Sequence, residues 1–131
     1  MDKAEVDNWL RAYVAAWQSE DRERIGALFA DDVRYRYHPY DEPVVGRTAV
    51  VAAWLGEDEP AGASTRDEPG TFEAEYQAVA VDGDVAVATG RSIYHDGPGG
   101  PVKDVFHNCF VIRFDASGQC TEFTEWYMRE P

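Results

Sequence analysis

Ala30-Asp31-Asp32-Val33-Arg34-Tyr35-Arg36-Tyr37-His38-Pro39-Tyr40-Asp41-Glu42-Pro43-Val44-Val45-Gly46 carries the densest chemistry in the chain and decides how the rest is read. Val33, Tyr35 and Tyr37 alternate with Arg34 and Arg36. That period of two predicts a strand over 33–37 with its tyrosines turned inward and its arginines on the other face. Asp31 and Asp32 are expected to end a preceding helix, and Pro39 and Pro43 frame a rigid turn that presents His38, Tyr40, Asp41 and Glu42.

Upstream, Val6, Leu10, Tyr13 and Trp17 recur at helical spacing, with Trp9 widening the stripe and Asp2 and Glu5 placed as N-cap and N3 of a helix over 3–18. Ser19 or Asp21 can cap a second helix reaching about residue 29, with Ile25, Leu28 and Phe29 on the core side. Downstream, Gly46-Arg47-Thr48 opens a third helix with Val50, Val51, Trp54 and Leu55, stopped by Gly56. Residues 56–70 have no periodicity and many breakers, which reads as a mobile loop, with a lid as the alternative.

From Thr71 the period is two, giving strands at about 71–81, 84–95, 103–114 and 119–128. A two-residue turn at Asp82-Gly83 sets Val81 opposite Asp84, Tyr76 opposite Thr89 and Ala74 opposite Arg91. A turn at 115–118 sets Phe114 opposite Gln119, Asn108 opposite Glu125, Phe110 opposite Phe123, Phe106 opposite Tyr127, Cys109 opposite Thr124 and Cys120 opposite Arg113. A bulge in either hairpin would shift its pairs by one. Three helices followed by a mostly antiparallel, strongly curved sheet make an α+β fold with helices on the concave face, in one domain over 1–131.

The totals restrict function. The 131 residues include 25 acidic and 12 basic side chains, a net charge of -13 that repels phosphate backbones and anionic lipid, so no nucleic-acid partner is expected. No apolar run approaches the roughly 20 residues that cross a bilayer, and the N-terminus lacks the pattern of a secretory signal, so a cytoplasmic, non-membrane protein is expected. Cys109 and Cys120 are read as reduced thiols in the core or an interface. The chain has no GxGxxG, P-loop or GxSxG pattern and no recurrent metal spacing, so neither cofactor nor metal is expected.

Ala-Leu-Phe-Ala-Asp-Asp at 27–32, Val-Gly-Arg-Thr-Ala-Val at 45–50, Val-Asp-Gly-Asp-Val-Ala-Val at 81–87, Phe-Val-Ile-Arg-Phe-Asp-Ala-Ser-Gly-Gln at 110–119 and Glu-Trp-Tyr at 125–127 stand in one order over nearly the whole chain. In that order the chain resembles the nuclear transport factor 2 superfamily, the cone-shaped α+β fold of SnoaL-like polyketide cyclases and ketosteroid isomerases. Ketosteroid isomerases use an aspartate base and two donors, a tyrosine and a protonated carboxylic acid, to the enolate oxygen. By position the resemblance carries the tyrosine donor onto Tyr13, but puts Tyr37 where the base would be and Phe110 where the acid would be. A phenol of pKa near 10 is a poor base at pH 7 and phenylalanine donates nothing, so the pocket carries over and that reaction does not.

The resemblance further implies that Tyr35, Tyr37, Tyr76, Thr89, Arg91, Phe106, Asn108, Phe110, Phe123, Glu125 and Tyr127 face the cone, joined by Tyr13, Trp17 and Trp54 from the helices, with Ala74 and Ala78 leaving room. Such a chamber suits a small apolar or aromatic ligand. Glu125, beside Asn108 and within reach of Arg91, is either an acid/base centre or part of a structural Arg-Glu-Asn cluster. His38 with Asp41 at the mouth is either a dyad or a turn fastening. His95 is expected in an exposed loop. The outer face, with His107 opposite Trp126 and with Cys109, Val111 and Thr124, is expected to form a homodimer. Two functions stay open: a cofactor-independent isomerase, cyclase, hydrolase or binding protein with an open cone, or a non-catalytic dimeric module whose cone is filled by Tyr13, Tyr37, Trp54 and Phe110.

Overall fold

The computed structural model describes residues 1–57 and 66–131, and most of the 56–70 loop expectation lies outside them. Helix α1 (Lys3–Ser19) starts at the expected capping box: Asp2 accepts from the Glu5 N–H at 2.8 Å, and Glu5 accepts from the Asp2 N–H at 3.2 Å. It ends at Glu20, whose φ of 53° breaks the helix. Asp21 then caps α2 (Arg22–Ala27) by accepting from the Glu23 and Arg24 N–H groups. Helix α3 runs over Arg47–Trp54.

Six strands, β1 (Phe29–Arg36), β2 (Val44–Val45), β3 (Phe72–Asp82), β4 (Val85–His95), β5 (Val102–Phe114) and β6 (Cys120–Arg129), form one sheet in the order β2-β1-β6-β5-β4-β3. All neighbours are antiparallel except β1 and β6, which run parallel. The helices lie on the concave face, and one core of Val6, Trp9, Leu10, Ile25, Phe29, Val33, Val50, Ile112 and Phe123 fills the space between.

The second helix is shorter than its sequence suggests, because β1 begins at Phe29, four residues before the expected strand. Tertiary bonds hold this corner extended. The Leu28 carbonyl accepts from the Trp9 indole at 3.1 Å and the Cys120 N–H at 2.9 Å, and the Phe29 carbonyl accepts from Arg47 Nε at 2.9 Å. Those partners come from α1, β6 and α3, so no local pattern announces them.

Both hairpins depart from the expected register, with different consequences. In the first, Asp82 pairs Val85 and the turn is Gly83-Asp84, with Gly83 at φ 59° in the first turn position that a type II′ turn reserves for glycine. A bulge at Val79 then shifts the ladder by one, leaving Tyr76 opposite Gly90 and Ala74 opposite Ser92. Asp7 of α1 accepts from the Ala78 N–H there at 2.7 Å. The net odd shift reverses the expected faces of β4: Ser92 is buried, while Arg91 and Thr89 lie on the outer face.

In the second hairpin, the turn takes one residue more and the ladder slips again between Arg113 and Phe114. The total slip is two. Asn108 stands opposite Tyr127, Phe110 opposite Glu125, Ile112 opposite Phe123, Cys109 opposite Trp126, His107 opposite Met128 and Cys120 opposite Phe114. Because side chains alternate with period two, a slip of two changes partners and keeps faces. Both thiols are free, Cys120 buried in the core and Cys109 half-buried on the outer face. No helix among the described residues is long and apolar enough to cross a membrane.

Candidate functional site

The cone encloses an open-mouthed cavity of about 770 Å³ between α1, α3 and the concave face of the sheet. Its floor is aromatic: Phe123 stacks on Tyr35 at 4.5 Å and on Tyr13 at 5.5 Å, with Phe110 at 4.8 Å from Phe123. Phe110 and Phe123 lie beneath the cavity as fully buried core rather than in its lining, a correction to their reading as ligand contacts. Tyr13, Trp17, Tyr35, Tyr37, Trp54, Tyr76, Asn108, Glu125 and Tyr127 do line it. Arg91 does not. It sits on the outer face opposite Glu75, so the expected Arg-Glu-Asn cluster is not formed.

Ser92 takes the inward place expected for Arg91, and it directs a chain of hydrogen bonds. Its hydroxyl donates to Asn108 Oδ1 at 2.9 Å, which spends its only proton, so Tyr76 donates to Ser92 Oγ at 2.5 Å. The Asn108 amide nitrogen then donates to Glu125 Oε2 at 2.7 Å. Asn108 reaches Glu125 diagonally across the β5/β6 ladder rather than from the opposite position. Burial pushes the Glu125 carboxyl up to about 7, against smaller downward pulls from Asn108 and His38.

Tyr13 and Tyr35 share a hydrogen bond at 2.7 Å between their hydroxyls, and burial, together with the nearby Glu125 charge, raises both phenols well above their ordinary range. Trp54 packs edge-on to Tyr13 at 5.0 Å, and its buried indole N–H has no hydrogen-bond partner among the described residues. At the mouth, His38 Nδ1 lies 2.8 Å from Asp41 Oδ2 and Nε2 lies 2.7 Å from the Tyr127 hydroxyl, with the Tyr40 ring stacked on the imidazole at 5.2 Å. The Asp41 carboxylate places the imidazole proton on Nδ1, so in the neutral ring Nε2 accepts from Tyr127. Asp41 stands behind His38 and does not line the cavity.

Ser92, Tyr94 and Asp67 are among the lining residues that sequence reading missed. Ser92 was hidden by the Val79 bulge. Tyr94 ends up inward through the same shift, packed edge-on to Phe106 at 5.6 Å. Asp67 lies in a stretch with no periodicity and had no signal; it accepts from the Trp17 side chain, and burial raises its carboxyl. His95 ends β4 half-buried, with Nδ1 3.0 Å from the Gly100 carbonyl, rather than in an exposed loop. Among the described residues no group of three or more His, Cys, Asp or Glu is placed to hold a metal ion.

The SnoaL-like domain model matches residues 10–123. Among solved structures, an NTF-2-like protein of unknown function from Burkholderia xenovorans LB400 is similar at 16% identity and a TM-score of 0.65, over 98% of this chain and 85% of that one. An LEH-like epoxide hydrolase from M. tuberculosis is similar at 19% identity and 0.64, over 96% and 84%. A ketosteroid isomerase candidate from Kribbella flavida is similar at 17% identity and 0.63, over 99% and 82%. None of the curated proteins compared with the chain matches it. At these identities the structural neighbours establish the α+β cone and nothing finer.

Proposed function

This chain belongs to the SnoaL-like domain family, and on that footing we propose that its cone is a cofactor-independent site in which Glu125 moves a proton to or from a small, largely apolar molecule. The observation that carries the reading is the Glu125 carboxyl itself, half-buried on the cavity wall, held by a single amide donor from Asn108 and pushed up to about 7 by partial desolvation. A group with that midpoint is present in both forms at neutral pH, the condition under which a general acid or base is most effective. The Tyr13 and Tyr35 pair supplies a neutral phenol donor beside it. The Trp54 N–H offers a second donor to a ligand oxygen. An interaction module with a filled cone fits less well, because about 770 Å³ stays open.

A generic proton-abstraction probe tests this without knowledge of the natural substrate. Ring opening of 5-nitrobenzisoxazole responds to a desolvated carboxylate base. Wild-type protein should accelerate it with a pH profile rising through about 7, and Glu125→Gln should lower kcat/KM by roughly 10²-fold or more. An equal rate in the Gln variant would refute the role given to Glu125.

The outer sheet face supports a second proposal, a homodimer. Trp126 is 44% and Met128 77% exposed there, beside His107, Cys109, Val111 and Thr124, and an apolar surface of this kind is usually covered. A reducing, cytoplasmic setting suits the two free thiols.

A further inference from the structure

The direction of the hydrogen bonds around Glu125 restricts what the cone can hold. The Tyr76 proton is spent on Ser92, the Ser92 proton on Asn108, and one of the two Asn108 amide protons on Glu125. In the neutral His38 ring, the Tyr127 proton is spent on Nε2. At the Tyr76 and Tyr127 oxygens, and at the second oxygen of ionised Glu125, what remains for a ligand is lone pairs. The Asp67 carboxyl lines the same cavity and acts on the Tyr76 and Tyr94 phenols together with Glu125. This part of the cavity is therefore rich in acceptors.

Compensating positive charge is scarce there. Among the described residues no lysine or arginine is paired with Glu125 or Asp67. Arg66, at the mouth, is exposed and held by Glu20, and Lys103 is exposed at the rim. Other parts of the wall are rings, including Trp54, Tyr94 and Phe106, whose π systems attract cations. The chain's charge of -13 raises the local concentration of cations around the mouth. A neutral, acceptor-bearing ligand would face like groups at Glu125, Tyr76 and Tyr127, whereas an ammonium brings N–H donors and positive charge to those three; the Trp54 N–H and the Tyr13/Tyr35 pair stand elsewhere on the wall.

We infer that the ligand of this cone is a small organic cation, a protonated amine on an apolar body, seated with its N–H groups against Glu125, Tyr76 and Tyr127. The inference rests on the ligand-site reading above and narrows its ligand class. Three probes of nearly equal size test it: 2-phenylethylammonium, 2-phenylethanol and phenylacetate, titrated at pH 8 in 150 mM salt. Binding in the cone is read from the indole NMR signals of Trp17 and Trp54. At pH 8 Glu125 is mostly ionised, and the charged or titratable groups facing it are His38, Tyr13, Tyr35, Tyr76, Tyr94 and Tyr127.

The expected order is cation, then alcohol, then acid, with the cation at least tenfold tighter than the alcohol, and with that gap closing to about twofold in Glu125→Gln. An alcohol that binds as tightly as the cation, or a gap that persists in Glu125→Gln, overturns the inference and leaves the ligand site standing. Indole signals unmoved by all three probes also overturn it, while the 5-nitrobenzisoxazole assay judges the proton-transfer reading separately.

Discussion

Glu125 is an ordinary glutamate half-buried on the cavity wall, and that placement has a measurable effect on stability. Its carboxyl goes from about 4.5 in an exposed chain to about 7 in the fold. Between those values the folded state holds a proton that the unfolded state has lost, so stability is full below pH 4.5, falls as pH rises, and levels off above 7. A change of this size corresponds to about 3 kcal/mol. Glu125→Gln removes the titration, so urea unfolding at pH 5 and pH 8 should show the wild type losing about 2.5 kcal/mol more than the variant. Ser92 controls the same group from one step away. Ser92→Ala deprives the Tyr76 hydroxyl of its acceptor and the Asn108 carbonyl of its donor, costing about 2 kcal/mol. It also loosens the Asn108 grip that lowers Glu125, so the Glu125 midpoint should move up in an NMR titration.

At the scale of elements, the two hairpins explain what was legible in the sequence. The period of two over β3 to β6, the stripe of α1 and the alternation of Val33, Tyr35 and Tyr37 follow from local chemistry, and all three appear in the fold. The faces of β5 and β6 came out as expected even though their register did not, because an extra turn residue and a ladder slip add to two. The faces of β4 did not, because the Val79 bulge leaves an odd shift, and a bulge fastened by Asp7 from α1 has no local signature. The early start of β1 is likewise set by distant partners of the Leu28 and Phe29 carbonyls. Gly90 reports on the bulged register directly. A Cβ there would stand 2.0 Å from the Glu75 carbonyl oxygen and 2.6 Å from the Tyr76 ring, so Gly90→Ala must push the strands apart. Denaturant unfolding should show a loss of about 3 kcal/mol, whereas in the register expected from the sequence, with Tyr76 opposite Thr89, the same change would be mild.

At the scale of the whole molecule, the curved sheet divides labour between its faces. The concave face carries the aromatic chamber and its few polar groups, and the outer face leaves Trp126 and Met128 exposed, the surface proposed for a dimer. In sedimentation, Trp126→Glu should shift the protein to the monomer mass while the Glu125-dependent rate on the benzisoxazole probe persists; a wild type already at the monomer mass would refute the dimer. The proposed chemistry depends on the cone holding one carboxyl partly out of water. A carbon-13 NMR titration of the Glu125 side-chain carboxyl in the wild-type protein measures that directly. The predicted midpoint is about 7; a midpoint at the ordinary glutamate value of about 4.3 would contradict it.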